Sequence, residues 1–400
     1  MSENILTYFE QIKAQGLSID ITRGKPDSHQ LDLANDLLSM NVEPFDGKVD
    51  LRNYGEPFGI EDARVLGADL LSATADHVIT GEQSSLMLTY QMILSKYLFA
   101  KPVPWKDSEA PKFICPVPGF DRHFRMLEDF GIEMITVPLL EDGVDLDALS
   151  DVLQTNSNVL GIICVPRHSN PSGEVYSDEN INELFKIGRH YSEDFLFLFD
   201  HAYLVHDFLP TKNQTAVWKL AEQNKTTNQT VVVTSFSKVT FGGGGLSFMA
   251  AASDNLDLIK QIRGSMVICP DKVNQKRHTK FFKDLSAVKD HMKKHADLIR
   301  PKFEIAYKAL EKLDKDVGEY SQPTGGYFIT FKSQKPIASK IVELCKEAGV
   351  LLTPAGATHP YGKDPGNNTL RIAPTFISEK ELEIAMDVFV TAAQIAHEQG

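Results

Sequence analysis

Through its middle the chain alternates short apolar runs with longer stretches of mixed polarity. Apolar runs at residues 77–80, 113–117, 134–139, 159–165, 195–199, 231–235 and 246–251 are bounded by Gly, Pro or Asp, and several are rich in Val and Ile. Runs of this length and composition predict strands. Between several of them, residues 84–99, 121–130 and 180–190 read as helices. Strands and helices in alternation predict an α/β fold, doubly wound, with a mostly parallel seven-stranded sheet covered on both faces.

Beyond about residue 284 the pattern changes. A charged amphipathic stretch over 285–313 predicts a long helix. The run GGYFITF predicts a strand, residues 337–348 a helix, 350–353 and 369–372 strands, and 378–397 a closing helix. This is the signature of a smaller α+β unit. Residues 1–49 carry weak strand signals, and termini often meet in one domain. The expected division is a large domain over 50–284 and a small one from 1–49 and 285–400.

A chain of 400 residues is long enough for two cores. No run of 18 or more apolar residues occurs, so no membrane span is expected. The first residues, MSENILTYFEQIKAQG, lack the basic start and apolar middle of a signal peptide, and a cytoplasmic protein is expected. The net charge of -13 argues against nucleic acid and anionic lipid as partners. It leaves room for a small anionic substrate, which needs only a few local cations. Cys115, Cys164, Cys269 and Cys345 are scattered without a CxxC pair, which predicts free thiols and no metal site.

The segment VVVTSFSKVTFGGGGLSF, residues 231–248, is the most specific. A buried strand runs into Ser235, Ser237 and Lys238, and glycines follow that let backbone approach a ligand closely. Loss of solvent around Lys238 would favour the neutral amine that Schiff-base chemistry requires. Alone, such a lysine is usually a solvated turn residue. Other segments change the balance. Asp200 ends the apolar run FLFLF, at the edge where parallel sheets bind ligands. It could pair with a protonated pyridine nitrogen, or merely cap a helix. Asn170 in RHSNPSG could donate to a phenolic oxygen, and its bond to Pro171 is a candidate for the cis form. Gln83, Ser84 and Ser85 open a helix after a strand, a place suited to a phosphate. Phe120 could stack on a ring, and His123, one turn later, could touch Asp200 from behind. Arg371 lies among apolar residues and its planar fork matches a carboxylate. Tyr54 could reach a phosphate, including one across a subunit boundary, and Gly24 could pass close to a substrate.

Taken together, these segments resemble the fold-type I aminotransferases. The strings TRGKP, CPVPGFDRHF, SNPSG, SKVTFGGGG, DKVNQKRH, PYGKDP and RIAPT are similar to those of a bacterial aspartate aminotransferase subgroup and cover the chain nearly end to end. The resemblance implies pyridoxal 5'-phosphate as cofactor, held by Lys238 as a Schiff base, with Lys238 as proton shuttle. It implies Asp200 at the pyridine nitrogen, Asn170 and Tyr203 at the phenolic oxygen, and Phe120 stacked on the ring. Gln83, Ser84, Ser85, Ser235 and Ser237 would surround the phosphate. Tyr54 would complete the site of a second copy in a homodimer, and Arg371 would bind the substrate α-carboxylate with Gly24 closing nearby. The implied reaction is ping-pong amino transfer from L-aspartate to 2-oxoglutarate, and no metal is implied.

Two features depart from the pattern. Where many members carry an arginine near the phosphate, this chain has Leu246, leaving Lys272 and Arg277 as candidate cations. The cation for a distal carboxylate is not singled out among Arg23, Lys25, Arg122 and Arg167. Aromatic or 2-aminoadipate transamination and β-lyase chemistry therefore stay open. A non-enzymatic ligand sensor is disfavoured by the retention of Lys238 and Asp200.

Overall fold

A computed structural model of the chain describes residues 3–400. Its main sheet has eight strands. In spatial order they are Val78–Thr80, Ser247–Ala251, Thr230–Ser235, Leu196–Asp200, Val159–Cys164, Lys112–Val117, Glu133–Leu140 and Gly143–Val144. Seven match the expected strands. The eighth is a two-residue hairpin partner of Glu133–Leu140 and too short to leave a periodic signal. The five strands from Thr230–Ser235 to Glu133–Leu140 run parallel, while Ser247–Ala251 is antiparallel to both its neighbours.

The central strands are apolar throughout because both faces are covered. In the strand Leu196–Asp200 the two-residue period sorts side chains cleanly. Phe197 and Phe199 join one core, with Phe185 of the helix Asp178–Tyr191, and Leu196 and Leu198 join the other. Gly188 lets that helix settle on the sheet, since a Cβ there would come within 2.5 Å of the Phe197 ring.

A further core gathers the two ends of the chain. Phe9 and Ile12 of the helix Glu3–Lys13 pack with Phe303, Ile341, Ile372 and Phe389. A parallel pairing of Ile19–Asp20 with Val350–Leu351 ties the N-terminal segment to the C-terminal part. The helix Leu285–Leu310 belongs to both cores: Val288 and Met292 pack with the sheet, Ile299 and Phe303 with the terminal core. The strand expected from GGYFITF begins later, at Ile329, because Gly326 turns the chain at φ 80°. The four cysteines are free, and no group of metal-ligating side chains occurs among the described residues. No helix among them is long and apolar enough to cross a membrane.

Candidate active site

The parallel strands deliver their C-terminal ends to one edge, and the singled-out residues meet there. Thr230–Ser235 leads into the turn carrying Lys238, Leu196–Asp200 ends on Asp200, and Val159–Cys164 leads to Asn170. Lys112–Val117 leads to Phe120, and Val78–Thr80 to the segment 81–85. Register fixes the relation of the first two strands: Val233 stands opposite Asp200.

Lys238 opens partly onto this edge, with Nζ 4.9 Å from the centre of the Tyr203 ring. Burial pulls its ammonium below the ordinary lysine range, and the nearby Asp200 carboxylate opposes that pull. The outcome favours the neutral amine needed for attack on a carbonyl carbon. Tyr203 is buried and its phenol is pushed upward by burial, so it stays a hydrogen-bond donor.

Asp200 is 2% exposed. His123 Nε2 lies 3.0 Å from its Oδ2, and Ser85 Oγ donates to its Oδ1 at 3.3 Å. The predicted contact from His123 is present. The Ser85 hydroxyl, expected at a phosphate, turns instead to Asp200, so Ser85 has only its backbone N–H to offer an anion. Phe120 is the N-cap residue of the helix Asp121–Asp129 and meets His123 edge-on at 5.0 Å.

Gln83 is exposed and Ser84 is the N-cap residue of the helix Ser85–Phe99, where backbone N–H groups lack helical partners. Ser235 and Ser237 hydroxyls lie 2.9 Å apart. Gly245 joins these pieces: a Cβ there would lie 2.8 Å from the Gln83 carbonyl and 2.9 Å from the Ser237 nitrogen. Only glycine lets the two segments close into a cup. Leu246 is buried and supplies no charge. Lys272, a candidate for that charge, donates to the carbonyls of Asp50 at 2.9 Å and Tyr54 at 3.2 Å. Its ammonium is committed to the loop that presents Tyr54. Arg277 is half-buried, with Nε unpaired. The Tyr54 side chain points outward and is 75% exposed.

Arg371 sits on the strand Thr369–Ile372, over the Phe328 ring at 4.8 Å. Nη1 donates to Asn170 Oδ1 at 3.2 Å, and Nη2 donates to Thr22 O and Thr353 Oγ1, both at 3.3 Å. Asp121 pairs with Nη1 at 3.5 Å. Thr22 lies in TRGKP and Asp121 in CPVPGFDRHF, but nothing local in the sequence shows that they or Thr353 meet Arg371, which lies 349, 250 and 18 positions away, respectively. The Asn170–Pro171 bond is cis. Gly24 presses on Phe328, where a Cβ would come within 2.5 Å of the ring.

The four candidate cations for a distal carboxylate differ in their surroundings. Arg167 is bound to both oxygens of Asp207. Lys25 stacks over the Phe376 ring at 3.6 Å, and Arg23 and Arg122 are both exposed. Arg122 lies near Arg371: both face Asp121, and the charge of Arg122 helps lower the pKa of Arg371, where burial is the larger cause.

The whole chain, residues 1–400, matches the family model described as aspartate amino-transferase. It is 39% identical over 407 aligned positions to an aspartate aminotransferase of Corynebacterium glutamicum, covering 98% of this chain and 93% of that protein. A crystal structure of an aspartate transaminase from the same organism superposes with a TM-score of 0.94 at 37% identity, covering 99% of this chain and 95% of that one. An α-aminoadipate aminotransferase of Thermus thermophilus, solved with N-(5'-phosphopyridoxyl)-L-leucine, shares the fold at a TM-score of 0.79 and 19% identity, covering 97% and 96% of the two chains.

Proposed function

The chain belongs to the aspartate aminotransferase family and is an aminotransferase of fold type I; from that premise we propose that it uses pyridoxal 5'-phosphate to move the amino group of L-aspartate to 2-oxoglutarate. The observation that carries this reading is the meeting of a half-buried, amine-favouring Lys238 with a buried, doubly bonded Asp200 at one sheet edge. The cup closed by Gly245 supports a place for the phosphate. Pyridoxal 5'-phosphate, held by Lys238 at rest and released from it to the substrate amine, would supply an electron sink for negative charge at the substrate α-carbon.

The chain's own residues then have distinct tasks. The Lys238 amine takes and returns the proton at the substrate α-carbon. Asp200, oriented by His123 and Ser85, holds a proton on the cofactor's ring nitrogen. Asn170 and Tyr203 donate to its phenolic oxygen, and Phe120 packs on the ring. Gln83, Ser84, Ser85, Ser235 and Ser237 meet the phosphate, Ser85 through its backbone. Arg371 binds the α-carboxylate, with Gly24 lying close by.

A homodimer accords with the exposed Tyr54, whose loop is anchored by Lys272 and would reach the phosphate of a second copy. The preference for a dicarboxylate rests on Arg122, which adds a second cation close to Arg371. The test is product analysis. L-Aspartate with 2-oxoglutarate should yield glutamate in step with loss of aspartate. Release of ammonia without the acceptor would mean a lyase instead.

A further inference from the structure

Arg167 and His168 stand just before the turn that presents Asn170, and both side chains converge on one carboxylate. Arg167 donates from Nη2 to Asp207 Oδ1 and Oδ2, at 2.8 and 2.7 Å, and from Nε to Oδ1 at 3.2 Å. His168 Nε2 lies 2.6 Å from the same Oδ1. His168 is buried and takes a left-handed backbone, φ 50°, which residues with a Cβ seldom adopt. Such a conformation persists only where its surroundings hold it.

The surroundings here are a third loop. Gly325 and Gly326 pass directly over His168: a Cβ on Gly325 would overlap Nε2, and one on Gly326 would come within 2.9 Å of the His168 Cβ. Asp207 and Gly325 form a backbone bridge, Gly326 N donates to His206 O at 3.0 Å, and Phe208 N donates to Thr324 O at 3.0 Å. Asp207 therefore joins the loop of Asn170, the loop of Asp200 and Tyr203, and the loop leading to Phe328 beneath Arg371. Burial alone would raise the Asp207 carboxyl, but His168 and Arg167 outweigh it and hold the group below the usual carboxylate range. A guanidinium fork on a carboxylate fixes direction as well as distance.

We propose that Asp207 is a positioning residue for amino transfer, setting through Arg167 and His168 where the Asn170 amide stands relative to Tyr203 and Arg371. The proposal rests on the reading of Asn170 given above. The Asn170 oxygen already accepts from Arg371, which leaves its NH2 as the donor for a ligand, and the aim of that donor follows from the loop that Asp207 holds.

The test compares Asp207→Asn, Asp207→Glu, Arg167→Lys and Asn170→Ala in the full-length, cofactor-loaded protein. The readouts are the pH titration of the cofactor's visible absorbance, the cofactor dissociation constant of the stripped protein, the separate kcat and KM for aspartate, and the melting temperature. Asp207→Asn should move the titration midpoint in the same direction as Asn170→Ala and lower kcat/KM roughly tenfold or more. Asp207→Glu should restore part of both. Arg167→Lys, which keeps the charge and loses the fork, should fall between. If Asn170→Ala moves the titration while Asp207→Asn alters only the melting temperature, the positioning role is wrong. Should Asp207→Asn fail to fold, Arg167→Lys decides by the same comparison. If Asn170→Ala leaves the titration in place, the reading of Asn170 has failed, and the proposal falls with it.

Discussion

Arg371 and Asn170 are in direct contact, Nη1 donating to Oδ1 at 3.2 Å. The residue assigned to the substrate carboxylate and the residue assigned to the cofactor's phenolic oxygen thus hold each other. Any group that changes the position of one is felt by the other.

Arg371→Lys should keep the charge and lose the planar fork and its ties to Asn170, Thr22 and Thr353. Losing a partner in such a charged, bonded cluster costs roughly 2–4 kcal/mol, so kcat/KM for aspartate should fall by about two orders of magnitude. Steady-state kinetics with the cofactor saturating checks this. Most of the loss should appear in KM if the guanidinium serves binding alone.

Arg122→Gln separates the two carboxylates of the substrate. It should lower kcat/KM for aspartate about tenfold to a hundredfold and leave alanine, which lacks the distal carboxylate, nearly unchanged. Equal loss for both amino acids would remove Arg122 from the specificity role.

Gly245→Ala should force apart the Gln83 and Ser237 segments and distort the cup. An added methyl in a tight site costs about 1–3 kcal/mol, so the cofactor dissociation constant should rise by roughly tenfold or more. Gly243→Ala is the control, because a Cβ there meets no atom within 4 Å. The titration of stripped protein with cofactor reads both.

Glu174 gives a stability prediction away from the reacting groups. Burial, with repulsion from Glu141 added, raises its carboxyl from 4.5 to about 7. The folded state therefore holds this proton more tightly than the unfolded chain does. The resulting penalty is absent in acid, grows as pH rises through that window, and is complete above it. Glu174→Gln should melt at the wild-type temperature near about pH 4 and higher than wild type near about pH 8. Because the side chain is partly exposed, screening limits the gain to about 1 kcal/mol, or about 1–2 °C for a chain of this length.

Much of the fold was legible because the central strands are long, apolar and bounded by turn residues, as in LFLFD and VVVTS. The two-residue strands Ile19–Asp20 and Gly143–Val144 carry no period, and their pairing is a tertiary event. The helix Glu61–Leu71 was not read because it opens on the uncapped Ile60, without a side-chain cap. At the site, side chains on strand ends were found by position. Their partners were harder, because they lie far away in sequence. Arg167 looked like a free cation, yet Asp207 claims it from 40 positions downstream. Ser85 looked like a phosphate ligand, yet its hydroxyl bonds Asp200 across 115 positions. Local pattern shows which residue can act, and packing decides where its polar atoms are spent.

The most direct measurement is the visible spectrum of the purified, cofactor-reconstituted protein during sequential addition of L-aspartate and 2-oxoglutarate. A band near ~420 nm should collapse toward ~330 nm with aspartate and return with 2-oxoglutarate, and a Lys238→Ala variant should lose the return. A wild-type protein that acquires no such band with added cofactor would contradict the assignment of Lys238 outright. A band that aspartate leaves unchanged would keep Lys238 as the cofactor lysine and reject aspartate as the substrate.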